Sequence, residues 1–228
     1  WLVALRFPHP HGGLRMADFK AQEPQCGRFE EQGLSMAWCL MRPPQAATSP
    51  CPVVLFLHGS GERGNDSAAH LPHARRFVAG VHEPCFVLAP QCPKGLRWVE
   101  VHWGERCHTL LQEASPALAL AMRALDEVLK EPLADPARVY LAGISMGGFG
   151  VWDALTRWPG RFAGALAICG GADDVALEQS KGAFPPVWAF HGSADDVVLP
   201  SRSTSAVRAL RTAGASEDAA LITLFRGV

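Results

Sequence analysis

Long apolar segments and a large excess of charge are both absent from this chain of 228 residues. The longest mainly apolar stretches, 117–125 and 162–169, are far shorter than the roughly 20 residues of a membrane-spanning helix. The 21 basic and 22 acidic side chains leave a formal net charge of −1, too small to attract nucleic acid or an anionic membrane strongly. We therefore predict a soluble protein with no nucleic-acid or membrane partner; the sequence does not indicate the oligomeric state.

Cysteine pairs at metal-binding spacing are also absent. The seven cysteines are an odd number with no C-x-x-C pair, which fits neither a disulfide framework nor a zinc site. We predict reduced thiols and a cytoplasmic location. Because the chain shows neither a metal-ligand cluster nor a cofactor motif, we predict no cofactor.

A secretory signal is not visible at the beginning of the sequence. Residues 1–5 are apolar, but no basic segment precedes them and no small-residue cleavage site follows. Met16 has a polar segment after it and a Pro/His/Gly-rich stretch before it. We expect the native start at Met16, residues 1–16 as a non-native or disordered extension, and residues 17–228 as a single domain, since this length suits one hydrophobic core.

Short apolar runs recur along the chain and indicate buried strands. The run 53–57, bounded by Pro52 and a glycine, is typical of a parallel strand that is covered on both faces. Segment 34–41, before a Pro-rich connection, predicts an edge hairpin. Further runs of the same kind occupy residues 85–89, 139–142, 162–168, 187–190 and 221–225.

Helical patterns lie between these runs. Ser115 is a helix cap followed by Pro116, and apolar residues then recur at helical spacing as far as Leu129. Segments 148–157 and 201–213 predict two more helices. The alternation predicts an α/β fold with a mostly parallel central sheet and helices on both faces. Ligands of such folds bind at the carboxyl ends of the strands.

One of the predicted strands runs into the pattern G-x-S-x-G. Gly143, Ser145 and Gly147 lie between the strand 139–142 and a helix. A serine nucleophile on a tight strand-to-helix turn needs small residues on either side of it, because larger side chains would collide. The pattern makes Ser145 the candidate nucleophile. The alternative is a glycine-rich turn in which the serine only caps the helix.

The segment 58–64, HGSGERG, follows the strand 53–57 and predicts an oxyanion-hole loop. Two backbone N–H groups would stabilise the negative charge of a tetrahedral intermediate, and our candidates are the amides of Ser60 and Met146. His58 ends a buried strand, so we expect a structural role for it. Glu62 and Arg63 either pair to hold the loop or line the substrate entrance.

A carboxylate is expected after the strand 187–190, because the triad order in such folds is Ser, Asp, His. Segment 191–200, HGSADDVVLP, offers Asp195 as the triad acid and Asp196 as the alternative. In the other interpretation both are ordinary turn carboxylates. Trp98 and Trp103 follow the strand 85–89 and either form an aromatic wall of the substrate pocket or pack the loop against the body.

The segments LHGSGERGND, LAPQCP, GISMGGFGVWDAL and FHGSADDVV resemble the predicted-peptidase and carboxylesterase-like branch of the α/β-hydrolases, near feruloyl esterases and dienelactone hydrolases. The resemblance spans residues 33–228. It implies a serine hydrolase in which Ser145 is the nucleophile, Asp195 the acid, and Ser60 part of the oxyanion loop. Ester hydrolysis of a small-molecule substrate through an acyl-serine is the leading hypothesis, and peptidase action on the same fold is the second.

A histidine after the last strand is the part of the family pattern that this sequence lacks. No histidine follows His191, and only Arg226, Gly227 and Val228 follow the strand 221–225. The resemblance implies a Gly-His pair just after that strand. We therefore expect a C-terminally truncated hydrolase with little or no turnover as printed. The rival hypothesis is a natural non-catalytic binding module, or pseudoenzyme.

Overall fold

The computed structural model describes residues 23–228 apart from 32, 46, 82 and 181–183. Residues 1–16, which we expect to be an extension, lie outside the described residues. The assignment of 17–228 to one domain stays a prediction. None of the helices in the described ranges is long and apolar enough to cross a membrane.

A single sheet of eight strands organises the described chain, in the order β1-β2-β4-β3-β5-β6-β7-β8. β1 pairs antiparallel with β2 and β2 antiparallel with β4, whereas all remaining pairs are parallel. The first two strands thus form the predicted edge hairpin. The strands are β1 (Gln25–Glu31), β2 (Leu34–Met41), β3 (Cys51–Leu57), β4 (Phe86–Gln91), β5 (Ala134–Ile144), β6 (Gly164–Ile168), β7 (Val187–Gly192) and β8 (Ala220–Phe225).

Helices cover both faces of the sheet. They are α1 (Leu71–Ala79), α2 (Pro116–Val128), α3 (Met146–Arg157), α4 (Asp174–Gln179) and α5 (Pro200–Thr212). α1 packs into a small apolar cluster on one face, and the other four helices contribute to the main core on the opposite face. Because side chains alternate along a strand, Leu55 of β3 enters the main core while Phe56 enters the smaller cluster. The predicted fold class is therefore confirmed.

The prediction that all seven cysteines are reduced is wrong for two of them. Cys26 of β1 and Cys39 of β2 form a disulfide, whereas the other five cysteines are free. The two residues are directly opposed in the antiparallel register. Disulfides persist mainly in oxidising compartments, so this bond argues against the cytoplasmic location, which stays an untested prediction.

Candidate active site

The carboxyl ends of three neighbouring parallel strands lie together at one edge of the sheet. Ile144 of β5 is paired with Ile168 of β6, and Ile168 with Phe190 of β7. Ser145 follows the first of these strands directly, and Asp195 lies on the loop that follows the third. The predicted nucleophile and the predicted acid therefore lie at the same edge of the sheet.

Ser145 occupies a sharp turn between β5 and α3. Its backbone has φ 55° and ψ −118°, a left-handed conformation that residues with a side chain rarely adopt. Its N–H donates to the carbonyl of Ile168 over 2.8 Å, and its carbonyl accepts from Phe149 N–H over 3.1 Å. The side chain makes no capping hydrogen bond to the helix. The hydroxyl is thus not engaged as a helix cap, which favours the nucleophile interpretation over the alternative.

The two glycines of the pattern are required by close backbone approach. A Cβ on Gly143 would overlap the carbonyl of Gly147, and a Cβ on Gly147 would overlap the carbonyl of Leu57 at the end of β3. A third glycine, Gly148, packs against Gly170 in the same way. Backbone atoms at these positions cannot move aside as a flexible side chain could. The glycines therefore allow α3 to begin directly against the ends of β3 and β6.

The predicted oxyanion loop runs beside Ser145. A Cβ built on Gly59 would lie 3.7 Å from Ser145 Cβ. Ser60 begins a short 3-10 turn that ends at Glu62, and Met146 is the first residue of α3. First-turn N–H groups have no partner within their own helix, so they are free to bind a ligand. This geometry suits an oxyanion hole, but the roles of Ser60 and Met146 stay predictions.

His58 is fully buried and holds the oxyanion loop. Its Nε2 accepts from Cys92 N–H over 2.9 Å, which leaves Nδ1–H to donate to the Gly59 carbonyl over 2.6 Å. Trp98 Nε1–H donates to the carbonyl of His58 over 3.0 Å. Burial, as the largest cause, lowers the pKa of His58 to about 3. The imidazole is therefore neutral with both nitrogens engaged, which fits the expected structural role and not that of a base.

Arg63 and Glu62 do not form an ion pair in the described structure, so the first of the two alternatives fails. Arg63 instead donates to two backbone carbonyls, those of Ser60 (2.9 Å) and Leu96 (3.3 Å). The fully buried Gln91 adds a hydrogen bond of 3.0 Å from its Nε2 to the Glu62 carbonyl. Sequence reasoning missed Gln91. The loop is thus fixed by hydrogen bonds to backbone carbonyls, and none of these bonds uses the Glu62 carboxylate.

The loop after β7 holds Asp195 more firmly than Asp196. Asp195 Oδ1 accepts from the N–H groups of Val197 (3.0 Å) and Val198 (2.9 Å), and Oδ2 lies 3.4 Å from His191 Nε2. Asp196 is exposed, and its side chain makes no hydrogen bond or ion pair in the described chain. A triad acid must be fixed in place to orient an imidazole. The geometry therefore favours Asp195, whose catalytic role stays a prediction.

Cys169 lies between the strand ends that precede the predicted nucleophile and the predicted acid. It follows β6 with φ 42°, between the ends of β5 and β7. Burial raises the pKa of its thiol to about 11; a hydrogen bond from the Ser145 backbone opposes this shift and the charge of Asp195 adds to it. The end of β6 thus lies between the strand ends that precede Ser145 and Asp195. This arrangement of the two candidate residues could not be read from their spacing in the sequence.

The residues after β8 lie beside the loop that carries Asp195. Ser193 N–H donates to the Phe225 carbonyl and Ala194 N–H to the Val228 carbonyl, each over 2.8 Å. Gly227 N–H in turn donates to Ser193 Oγ over 3.2 Å. The chain therefore reaches Val228 next to the predicted acid.

The two tryptophans differ in their surroundings. Trp98 has no exposed surface, and besides its bond to His58 its carbonyl accepts from Ser115 Oγ over 2.8 Å. The aromatic-wall interpretation of Trp98 is therefore wrong, because a side chain sealed in the core cannot contact a substrate. Trp103 is half-buried beneath the guanidinium of Arg97, which lies 4.7 Å from its ring centroid. A substrate contact for Trp103 stays a prediction.

The fold is shared with solved hydrolase structures. An esterase described as thermostable superposes with a TM-score of 0.77 at 30% identity, over 92% of this chain and 55% of the esterase. An acylaminoacyl peptidase of Pyrococcus horikoshii has TM-score 0.62 at 16% identity, over 90% of this chain and 36% of the peptidase. A puromycin-hydrolysing peptidase of Mycobacterium tuberculosis has a TM-score of 0.65 at 18% identity, over 92% of this chain and 36% of the peptidase.

The sheet order, the turn at Ser145 and these likenesses define the class of protein. The chain belongs to the α/β-hydrolase superfamily. Within that superfamily it is similar to the thermostable esterase and spans about half of that protein's length. No protein-family model and no curated protein sequence matches the chain.

Proposed function

We propose that this chain is the main part of a serine hydrolase that cleaves small-molecule carboxylic esters. The observation that carries the proposal is the strained turn at Ser145, with its hydroxyl not used as a cap, at the same sheet edge as Asp195. The proposal favours esters because the solved structure with 30% sequence identity to this chain is an esterase, whereas the likeness to the peptidases is one of fold alone. Peptide cleavage remains the second candidate, since the same acyl chemistry serves both.

In the proposed reaction Ser145 Oγ attacks the ester carbonyl carbon while its proton passes to a base. The carbonyl oxygen becomes an oxyanion, which accepts hydrogen bonds from the amides of Ser60 and Met146. Collapse of the tetrahedral intermediate expels the alcohol, which takes the proton from the base, and leaves an acyl-serine. Water then attacks the acyl group while the same base takes its proton. The carboxylic acid leaves, and the base returns the proton to Ser145 Oγ.

The base in this proposal is a histidine that follows Val228 in the parent protein. His58 and His191 cannot serve: the first is neutral with both nitrogens engaged, and the second is buried against Ser203 Oγ and the Val198 carbonyl, each at 2.7 Å. The contact of Val228 with Ala194 would bring the next residues alongside Asp195. That carboxylate would then orient the imidazole toward Ser145. The printed chain would have little turnover.

Fluorophosphonate labelling and ester hydrolysis test the proposal together. We expect a chain extended by the parent's residues after Val228 to hydrolyse p-nitrophenyl acetate with a burst of acyl-enzyme. The printed chain should be slower by about 10³-fold or more, because a serine without its base is a poor nucleophile. In the extended chain, Ser145→Ala should abolish both the labelling and the burst. Asp195→Asn should slow ester hydrolysis strongly, whereas Asp196→Asn, the matched control, should change it little.

Three results would count against parts of this proposal. A burst from the printed chain that disappears in Ser145→Ala would refute the missing base. A stop codon directly after Val228 with no labelling would favour the pseudoenzyme hypothesis. In a panel of p-nitrophenyl esters and aminoacyl anilides we expect the esters to react faster, and faster cleavage of the anilides would favour the peptidase.

A further inference from the structure

We propose that Glu62 is a specificity-determining residue that selects ester substrates carrying a positive charge near the scissile bond. The inference rests on the proposed function, because it names a substrate class for the same site. It starts from the position of the Glu62 carboxylate next to the nucleophile.

The side chains of Glu62 and Ser145 both lie close to Gly59. A Cβ built on Gly59 would lie 3.0 Å from Glu62 Oε2 and 3.7 Å from Ser145 Cβ. The side chain of Glu62 keeps 20% of its surface exposed, so a ligand can reach it. The carboxylate therefore lies near the Ser145 side chain, at the wall of the proposed site.

No lysine or arginine of the described chain forms an ion pair with this carboxylate. The adjacent Arg63 is bound to backbone carbonyls. His58, whose Nδ1 lies 3.9 Å from Oε2, is neutral because its pKa is about 3. The remaining neighbour is the half-exposed His73 of α1, whose Nε2 lies 3.5 Å from Oε1. Oε2 thus lies beside Gly59, and no permanently charged cation of the described chain is paired with it.

A fixed negative charge at this place opposes the proposed reaction of a neutral ester. In the proposed reaction the oxyanion forms beside the loop 59–62, and two like charges near each other at an effective dielectric of about 20 repel appreciably. A substrate ammonium against Glu62 would cancel that repulsion and add its own attraction. The carboxylate therefore disfavours neutral esters and favours cationic ones, by about tenfold for one charge at the rim of a site.

Binding to a catalytically dead protein tests the inference separately from turnover. We expect the Ser145→Ala chain, titrated in a calorimeter, to bind a cationic ester about tenfold more tightly than its uncharged isostere. Two pairs of esters are compared. Acetylcholine and neohexyl acetate differ in the charge of the alcohol part, and glycine ethyl ester and ethyl propionate differ in the charge of the acyl part. Adding Glu62→Gln should remove the preference. Glu217→Gln, the same charge change on an exposed residue at the opposite sheet edge, is the control and should keep it.

Turnover supplies a signature that a merely structural role would not produce. In the extended chain, Glu62→Gln should lower kcat/KM for the cationic ester and raise it for the neutral one. A loop that had lost only its support would lower both. Equal binding of both members in both pairs, or a preference that survives Glu62→Gln, would overturn the inference. If esters bind with this charge preference but none is cleaved by the extended chain, the proposed function fails while the cation site stands.

Discussion

At the scale of single residues, the backbone around Ser145 depends on the lack of side chains at Gly143 and Gly147. Gly143 faces the carbonyl oxygen of Gly147 in the same turn, and Gly147 faces that of Leu57 at the end of β3, each at a distance that no Cβ tolerates. The glycines were predictable from sequence, because a strand-to-helix turn around a nucleophile needs small residues at these two positions. The contact with Leu57 was not predictable, because it depends on how β3 packs beside β5. The firm anchoring of Asp195 was not predictable, because it depends on how Val197 and Val198 fold back on the carboxylate.

A methyl group at Gly147 should disrupt the turn. We expect Gly147→Ala to destabilise the chain by about 3 kcal/mol or more, because its Cβ would overlap the Leu57 carbonyl and backbone must shift. Gly104→Ala is the control, since nothing lies within 4 Å of the added carbon. It should change stability by no more than about 0.5 kcal/mol. Urea unfolding measures both, and equal midpoints for the two variants would contradict the steric argument.

At the scale of elements, the strands were predictable and two helices were not. The buried strands are continuous apolar runs, so β3 through β8 follow from the sequence to within a few residues, except that β5 begins earlier. α1 buries only Ala74 and Val78, and α4 has six residues with Leu177 as its one buried residue. Such short or polar helices depend on the surrounding tertiary structure and carry little periodic signal of their own.

The disulfide between β1 and β2 was also beyond sequence reasoning. An odd number of cysteines does not indicate which pair meets, and the meeting of Cys26 with Cys39 depends on the register of the hairpin. We expect five thiols, not seven, to react with a thiol reagent after denaturation without reductant. Seven would show that the bond does not form.

Removal of the bond should weaken the edge hairpin. The replacement of Cys26 and Cys39 by serine is expected to cost about 3 kcal/mol, the value of the chain-entropy model for a loop near 15 residues. Cys107→Ser, at an exposed free cysteine, is the control. Thermal unfolding of the oxidised and reduced protein measures the same effect, and the double variant should lose its sensitivity to reductant.

At the scale of the whole molecule, buried neutral histidines make stability depend on pH. Burial lowers the pKa of His58 to about 3, from a usual value near 6.5 in an unfolded chain. Between these values the unfolded state binds a proton that the folded state does not. The contribution of His58 therefore destabilises the fold as pH falls from about 6.5 toward 3, and it vanishes above pH 6.5.

Urea unfolding across this range isolates the effect. We expect the free energy of unfolding of the wild-type chain to fall, relative to His58→Gln, by up to about 1.4 kcal/mol per pH unit below pH 6.5. His102→Gln, at an exposed position, is the control for the loss of a histidine. Parallel pH profiles for wild type and His58→Gln would show that His58 is not buried as a neutral group.

The backbone at Ser145 has a wider consequence. A left-handed φ of 55° is a conformation that glycine adopts at little cost and serine does not. Selection for the stability of the fold alone would favour glycine at this position. The presence of a hydroxymethyl group at this bend therefore supports the proposal that the residue is kept for its chemistry and not for its contribution to stability.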